Sequence, residues 1–223
     1  MKLNPIDKSE AARYMGVKGV PDRQVQELLD WAEELVRNSI SPRYVYRETT
    51  LSFDENGVLP AGMPVLLTGN DIKNHLSGCT GAVILAATLT SEADLLIRRS
   101  AVSSMAESLA VDCICSAAIE QVCDRAEEEI FSGISAPYRT WRYSPGYGDL
   151  PLSLQRDILL YLNAMRRIGL TVTEDSLLIP SKSVTAVIGI SHTPVNRTKG
   201  GCAVCNMRES CAFRGVSGRC SAK

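Results

Sequence analysis

Residues 142–151, RYSPGYGDLP, are the most informative stretch of this 223-residue chain. Its two glycines and two prolines predict a fixed, sharply turned loop in which backbone amides approach a ligand closely. Arg142 offers a planar guanidinium suited to a carboxylate, and Tyr147 adds a hydroxyl group and a ring face. These groups suit a small zwitterionic ligand with an aromatic or cationic part. A turn without any ligand has the same composition, so the residue types alone leave both interpretations open.

Strands and helices alternate irregularly on both sides of this loop, which favours a mixed α+β domain over a doubly wound parallel sheet. A strand over 137–143 precedes the loop, and a helix runs from Ser153 to about Arg167, with Gly169 as its end. Upstream, we expect strands at 44–53, 65–67 and 82–89, a short helix at 70–76, and one long or two abutting helices over 92–131. In that last segment, the helical spacing predicts one buried face comprising Leu95, Val102, Met105, Leu109, Cys113, Ala117 and Ile130. Downstream, Leu177–Ile179 and Val184–Ile190 are predicted to pair as strands.

Composition and charge exclude several classes of protein. Hydrophobic residues make up 45% of the chain and charged residues 22%, which is typical of a globular protein with a real core. The net charge of −1, without a basic block, indicates no nucleic-acid partner. The longest apolar run, Gly81 to Leu89, is too short to span a bilayer, and the first residues lack the apolar core of a secretion signal. We therefore expect a cytoplasmic protein with no membrane partner.

Four of the eight cysteines lie in the polar C-terminal tail as Cys202-x2-Cys205-x5-Cys211-x8-Cys220. A reducing compartment disfavours disulfides, so this set predicts a metal or redox site. Four thiolates could bind zinc or ligate an iron–sulfur cluster, although the spacing matches neither common ferredoxin pattern. A tail without a structural metal is the alternative. We predict a domain over residues 1–191 and a separate cysteine-rich appendage over 192–223.

The loop also carries a resemblance. Arg142-x-x-x-Gly146-Tyr147, placed after a strand and before a helix, matches the signature of the activation domain of cobalamin-dependent methionine synthase. Residues 179–184 resemble that family's Pro-x-x-Ser-Val segment, and 67–79 resemble the stand-alone form of the domain. The resemblance implies a single α+β domain with a twisted antiparallel sheet and packed helices. It also implies S-adenosylmethionine as the ligand and the reactivation of oxidised corrinoid as the task.

Residue roles follow from the matched positions. The resemblance implies that Arg142 holds the carboxylate of the methionyl group, and that Ser144 and Gly146 present backbone groups to the ligand. Tyr147 would lie near the sulfonium and the corrinoid face, as the residue closest to the chemistry. Gly148 stands where the family usually has proline, which puts the shape of the loop in doubt. The family's further acidic residue has no clear match among the N-terminal aspartates.

The corrinoid itself is expected on a partner protein. The usual corrinoid-binding motif is Asp-x-His-x-x-Gly, and the spacing from Asp71 to His75 is too long for it. On a short helix these two residues would instead form an i,i+4 surface pair. The expected partners are therefore a cobalamin-binding methionine synthase or a related corrinoid protein, together with an electron donor.

Two other functions stay open on the sequence. The chain could be a non-catalytic, metal-binding adaptor or chaperone for corrinoid methyltransferase proteins. It could also be an unrelated small-molecule enzyme, but the sequence shows no catalytic triad and no paired carboxylates.

Overall fold

The centre of the molecule is an eight-residue strand with every side chain buried, β4 (Gly81–Thr88). The computed structural model describes residues 2–195. In chain order the helices are α1 (Lys8–Tyr14), α2 (Arg23–Ser39), α3 (Asn70–His75), α4 (Ser91–Ser103), α5 (Met105–Phe131), α6 (Leu154–Leu162) and α7 (Ala164–Ile168). The strands are β1 (Arg43–Phe53), β2 (Gly57–Pro60), β3 (Leu67–Thr68), β4, β5 (Tyr138–Arg139), β6 (Thr171–Val172), β7 (Leu178–Ile179) and β8 (Ser183–Ser191).

Six strands form one antiparallel sheet in the order β3-β2-β1-β4-β8-β5. Because side chains alternate across a strand, β4 supplies apolar residues to both faces of the sheet. Val83 and Leu85 pack with Ala126 and Ile130 of α5 on one face. Alternate residues of the same strand pack on the other face with α3, α6 and α7. Helices therefore cover both faces, which confirms the predicted α+β domain with a twisted antiparallel sheet.

The long apolar helical segment is divided in two at Ser104. This residue is extended (φ −157°, ψ 136°), and its hydroxyl accepts a hydrogen bond from the Ala106 amide at 3.2 Å, so it caps α5. The predicted buried face is wrong in its first half: Val102 is 90% exposed and Met105 75%, and Leu95 and Leu109 are also exposed. The second half, Cys113, Ala117 and Ile130, is buried as predicted.

The helix that follows the loop is also interrupted. Asn163 adopts a left-handed conformation (φ 53°, ψ 41°) and separates α6 from α7, where one continuous helix was expected. Gly169, at φ 73°, ends α7 as the sequence predicts.

The pairing predicted for the last two apolar segments is wrong. β7 pairs with β6 in a separate two-stranded sheet, whereas β8 pairs with β4 on one side and β5 on the other. β5, which pairs with β8, is therefore one edge strand of the main sheet, and the loop at 142–151 follows shortly after it. Within residues 2–195, no helix is both long enough and apolar enough to cross a membrane.

Candidate functional site

The loop begins at the edge of the main sheet. Thr140 pairs with Gly189 of β8: its amide donates to the Gly189 carbonyl at 3.0 Å, and its hydroxyl accepts from the Gly189 amide at 2.8 Å. Tyr143 and Val187 then exchange two backbone hydrogen bonds, of 2.9 and 2.8 Å. The loop is thus fixed to the sheet up to its second residue.

Between these two pairs lies a β-bulge. The edge strand has two residues there, Trp141 and Arg142, whereas β8 has only Ile188. A bulge of this kind re-aims the side chains that it carries. Trp141 accordingly joins a group of aromatic rings next to the loop, while Arg142 points to α5.

The loop itself is a tight double turn. The Tyr147 amide donates to the Ser144 carbonyl at 3.0 Å, and the Gly146 amide donates to the Leu150 carbonyl at 2.8 Å. Gly146 has φ 91°, a conformation that glycine adopts without strain. Two of the backbone groups predicted to face a ligand, the Ser144 carbonyl and the Gly146 amide, are therefore used within the loop.

The far side of the loop is bound to the start of α3 by two aspartates. The Asp149 carboxylate accepts hydrogen bonds from the Asn70 amide at 2.6 Å and the Asp71 amide at 3.0 Å. The Asp71 carboxylate in turn accepts from the Asp149 amide at 3.2 Å. Asp149 thus caps a helix that lies far from it in the sequence, and the two segments hold each other.

Gly148 explains why the expected proline is missing. Its φ is 51°, and a β-carbon here would lie 2.1 Å from Asp71 Oδ2 and 2.5 Å from the Tyr143 hydroxyl oxygen. Proline is restricted to φ near −65°, so it cannot occupy this position in this conformation. At residue 148 the loop therefore has a backbone conformation that proline cannot adopt.

Four rings meet beside the loop. His75 lies 4.8 Å, between ring centroids, from both Trp141 and Tyr143, and Trp141 lies 5.2 Å from Tyr143. Tyr147 completes the group at 6.2 Å from Trp141 and 5.9 Å from Tyr143. Tyr143 is buried, Trp141 is partly buried, and Tyr147 is 51% exposed. We call this set, His75, Trp141, Tyr143 and Tyr147, the aromatic cluster.

The His75 ring is bonded to the backbone of Trp141. Its Nε2 lies 2.9 Å from the Trp141 carbonyl oxygen, which requires the ring nitrogen to donate. Burial lowers the pKa of His75 to about 4, although the bond to the Trp141 carbonyl acts in the opposite direction. The predicted surface pair between His75 and Asp71 is therefore wrong, because the two side chains have different partners.

Charge near the aromatic cluster is negative. Burial raises the pKa of the Tyr143 hydroxyl to about 12, and the negative charges of Asp71 and Asp149 add to this effect. The histidine of the cluster is neutral at neutral pH because of its low pKa. The four rings thus contain no cation of their own, and two carboxylates lie close to them.

Arg142 lies in a network of acidic side chains on α5. Its guanidinium is 2.7 Å from Asp124, 3.0 Å from Glu127 and 3.4 Å from Glu120. Glu127 is largely buried and also pairs with Arg139 at 2.9 Å, whereas Asp124 and Glu120 are more than half exposed. Burial acts to lower the pKa of Arg142, but charge interactions with its neighbours outweigh it and raise that pKa above its ordinary value.

Comparison with known proteins identifies the fold. No model of a known protein family matches the chain. No curated protein matches it. A solved structure, the MetH reactivation domain bound to AdoHcy, matches over 86% of this chain and 76% of that chain, with a TM-score of 0.64 at 16% sequence identity. This chain has the fold of the MetH reactivation domain.

The reactivation-domain fold agrees with the resemblance carried by the signature loop. In that fold, the structure brings Ser144, Gly146 and Tyr147 together in one rigid turn. Arg142 leaves the turn on the side of α5, and Tyr147 leaves it on the side of the aromatic cluster. The four predicted residues therefore surround the turn rather than converge on one point.

Sequence reasoning missed two parts of this site. It gave no role to Trp141, and it did not foresee the mutual capping of Asp71 and Asp149. The only signal for Trp141 was its position directly before the signature arginine. The aspartate pair had no sequence signal, because the two residues come together only through the fold.

The sequence also predicted a metal site away from the signature loop. Within residues 2–195, no group of three or more histidine, cysteine, aspartate or glutamate side chains is arranged to hold a metal ion. The predicted metal ligands Cys202, Cys205, Cys211 and Cys220 lie outside the described residues.

Proposed function

We propose that this chain binds S-adenosylmethionine and supports reductive methylation of cob(II)alamin on a separate, cobalamin-binding methionine synthase or related corrinoid protein in the cytoplasm. The observation that carries the proposal is the reactivation-domain fold, with the Arg142-x-x-x-Gly146-Tyr147 loop fixed at the sheet edge. The matching solved structure holds AdoHcy, which is S-adenosylmethionine without its transferable methyl group.

We assign the backbone of the turn, Arg142 and Tyr147 to contacts with such a ligand. We assign the Ser144 amide and the Gly146 carbonyl to the ligand, because the Ser144 carbonyl and the Gly146 amide already form hydrogen bonds within the loop. Arg142 takes the carboxylate of the methionyl group. Half-exposed Tyr147 places its ring beside the sulfonium.

Arg142 can accept a carboxylate only by exchanging partners. We assign Glu127 as the permanent partner, because it is largely buried and also bonds Arg139. Asp124 and Glu120 are exposed, and an exposed ion pair contributes only about 0–1 kcal/mol. The ligand carboxylate would therefore replace one of these two at small cost.

The proposed methyl transfer requires that the reactants are positioned, and it requires no proton transfer. Reactivation needs one electron for cob(II)alamin and then transfer of the methyl group from sulfur to cobalt, with the S–C electron pair left on the sulfur of S-adenosylhomocysteine. The methyl group of a sulfonium is already activated, so a rigid turn that aligns sulfur, methyl and cobalt can accelerate the step by several orders of magnitude. This requirement agrees with a turn fixed at both ends and with a neutral His75.

The corrinoid is assigned to the partner. His75 is an unsuitable axial ligand, because its Nε2 is bonded to the Trp141 carbonyl within the aromatic cluster. We further propose that Cys202, Cys205, Cys211 and Cys220 bind an iron–sulfur cluster or zinc, and that a cluster there would be suited to accept and pass on the electron. An ultraviolet–visible spectrum of anaerobically purified protein distinguishes a cluster, which absorbs in the visible range, from zinc, which does not.

One observation favours the adaptor function instead. A guanidinium that already has three carboxylate partners needs no ligand to satisfy it. In this alternative, the chain would hold a corrinoid protein through its surface without binding S-adenosylmethionine.

Two experiments separate these functions. Titration calorimetry with S-adenosylmethionine should show saturable binding to the wild-type chain and loss of affinity in Arg142→Ala. A cobalamin-loaded methionine synthase that lacks its own activation domain should then be mixed with this chain, a reductant and S-adenosylmethionine. Loss of the cob(II)alamin spectrum supports the proposal. Absence of binding together with a persistent cob(II)alamin spectrum would overturn it in favour of the adaptor.

A further inference from the structure

Trp141 has a position that the signature does not explain. It precedes the signature arginine, and the two side chains point to opposite faces of the sheet, Arg142 to α5 and Trp141 to the aromatic cluster. The centroid of the indole ring lies 6.2 Å from the centroid of the Tyr147 ring, with an angle of 33° between the ring planes. The indole is partly exposed.

The surroundings favour a cation. Aromatic rings carry negative charge on their faces, and indole is the strongest of them for binding cations. His75, which would repel a cation if it were charged, is neutral because burial lowers its pKa to about 4. Asp71 and Asp149 add negative charge near the hydroxyl of Tyr143, which belongs to the same cluster.

Two contacts hold the indole in place. The Trp141 carbonyl accepts a hydrogen bond from His75 Nε2 at 2.9 Å, and the His75 ring meets the indole edge to face, at 74°. The ring of Tyr143, whose backbone is paired with Val187, also packs against the indole, with 5.2 Å between the ring centroids. A ring fixed in this way loses little conformational entropy when a ligand binds.

We propose that Trp141, together with Tyr147, forms a binding site for the sulfonium group and makes the chain select S-adenosylmethionine over S-adenosylhomocysteine. The inference rests on the proposed function and adds a specificity-determining residue to it. The two ligands differ by one methyl group and one positive charge, and only the charged one gains from the ring faces. Selection of this kind would release the product after methyl transfer and admit a new methyl donor.

The test compares the two ligands by titration calorimetry. In the wild-type chain, S-adenosylmethionine should bind about 5-fold or more tightly than S-adenosylhomocysteine, which is the usual size of a cation–π contact at a partly exposed site. Trp141→Leu should reduce this ratio to near one by weakening only the charged ligand. Trp141→Phe, which keeps a ring, should retain part of the ratio.

The controls separate this inference from the function on which it rests. Trp31→Leu removes an exposed indole from α2, which packs with α5 on the other face of the sheet, and should leave the ratio unchanged. Unchanged binding of S-adenosylhomocysteine to Trp141→Leu shows that this variant is folded. If the ratio stays the same in that folded variant, Trp141 does not read the charge, and the proposed function stands. If neither ligand binds the wild-type chain, the proposed function and this inference both fail.

Discussion

Asp71 and Asp149 cap each other across the fold: the carboxylate of each accepts a hydrogen bond from the backbone amide of the other, at 3.2 and 3.0 Å. Side chains of like charge normally avoid one another, but here each carboxylate has amide donors as partners. Asp149 also accepts a hydrogen bond from the Asn70 amide, so its carboxylate satisfies two backbone amides that have no partner within α3. Three hydrogen bonds therefore hold the signature loop to the start of α3.

Replacing Asp149 by alanine should weaken both stability and ligand binding. Loss of a capping side chain costs about 1 kcal/mol, which thermal or urea unfolding will detect. Asp22→Ala is a matched control, because Asp22 caps α2 through the Val25 amide at 2.9 Å and lies outside the site. Both variants should lose similar stability, but only Asp149→Ala should lose affinity for S-adenosylmethionine. Equal affinity in the two variants would contradict a role of this cap in shaping the loop.

Gly148→Ala should destabilise the chain more than an alanine at an ordinary left-handed position. Its φ of 51° is unfavourable for alanine, and the new β-carbon would overlap Asp71 Oδ2 and the Tyr143 hydroxyl. Together these effects predict a loss of about 2–4 kcal/mol in the free energy of unfolding. Gly78→Ala provides the comparison, since Gly78 has φ 78° with nothing within 4 Å of a β-carbon, and should lose only about 1 kcal/mol. Similar losses in urea unfolding would show that the close approach to Asp71 does not matter.

Sequence predicted the fold class and the position of the loop because both depend on local patterns. The apolar run at 82–89 indicated the fully buried strand β4, and the glycine–proline composition indicated the turn after the edge strand. Periodicity failed at the α4–α5 junction, since the extended Ser104 resets the helical phase there. Residues spaced four apart also drift by about 40° per step around a helix, so Met105, two steps before Cys113, lies about 80° from it around α5. Met105 is exposed there, whereas Cys113 is buried.

Local sequence patterns could not predict which strands pair or which way the side chains of the site point. β7 pairs with β6 because a short turn joins them, with the Thr173 amide bonded to the Leu177 carbonyl at 2.9 Å. An apolar run shows that a strand exists but not which neighbour it chooses. The direction of Trp141 depends on a single extra residue in the edge strand, and no residue type announces that bulge.

Removing the competitor of the ligand carboxylate should tighten binding. If S-adenosylmethionine replaces Asp124 on Arg142, Asp124→Asn removes that competition and should raise affinity about 2- to 5-fold, the value of one exposed ion pair. Glu129→Gln is the control, because Glu129 lies on the same helix and pairs with Arg125 at 2.9 Å instead. Titration calorimetry of both variants at equal ionic strength measures the difference. Weaker binding in Asp124→Asn alone would mean that Asp124 holds the ligand's ammonium group rather than competing with its carboxylate.

Acid should destabilise the chain through His75, because the fold holds this ring neutral. Its pKa falls from 6.5 to about 4 on folding, so the unfolded chain binds the proton more readily between these values. The contribution of His75 to stability is therefore complete above pH 6.5 and is lost as the pH falls toward 4, with a total of at most about 3 kcal/mol. His75→Gln keeps a donor for the Trp141 carbonyl but does not titrate, so its unfolding free energy should vary less with pH across this range. His192→Gln, which changes the other histidine of the chain at an exposed site, is the matched control variant. A His75→Gln slope equal to that of the wild type in urea titrations from pH 4 to 7 would show that the ring is not held neutral by the fold.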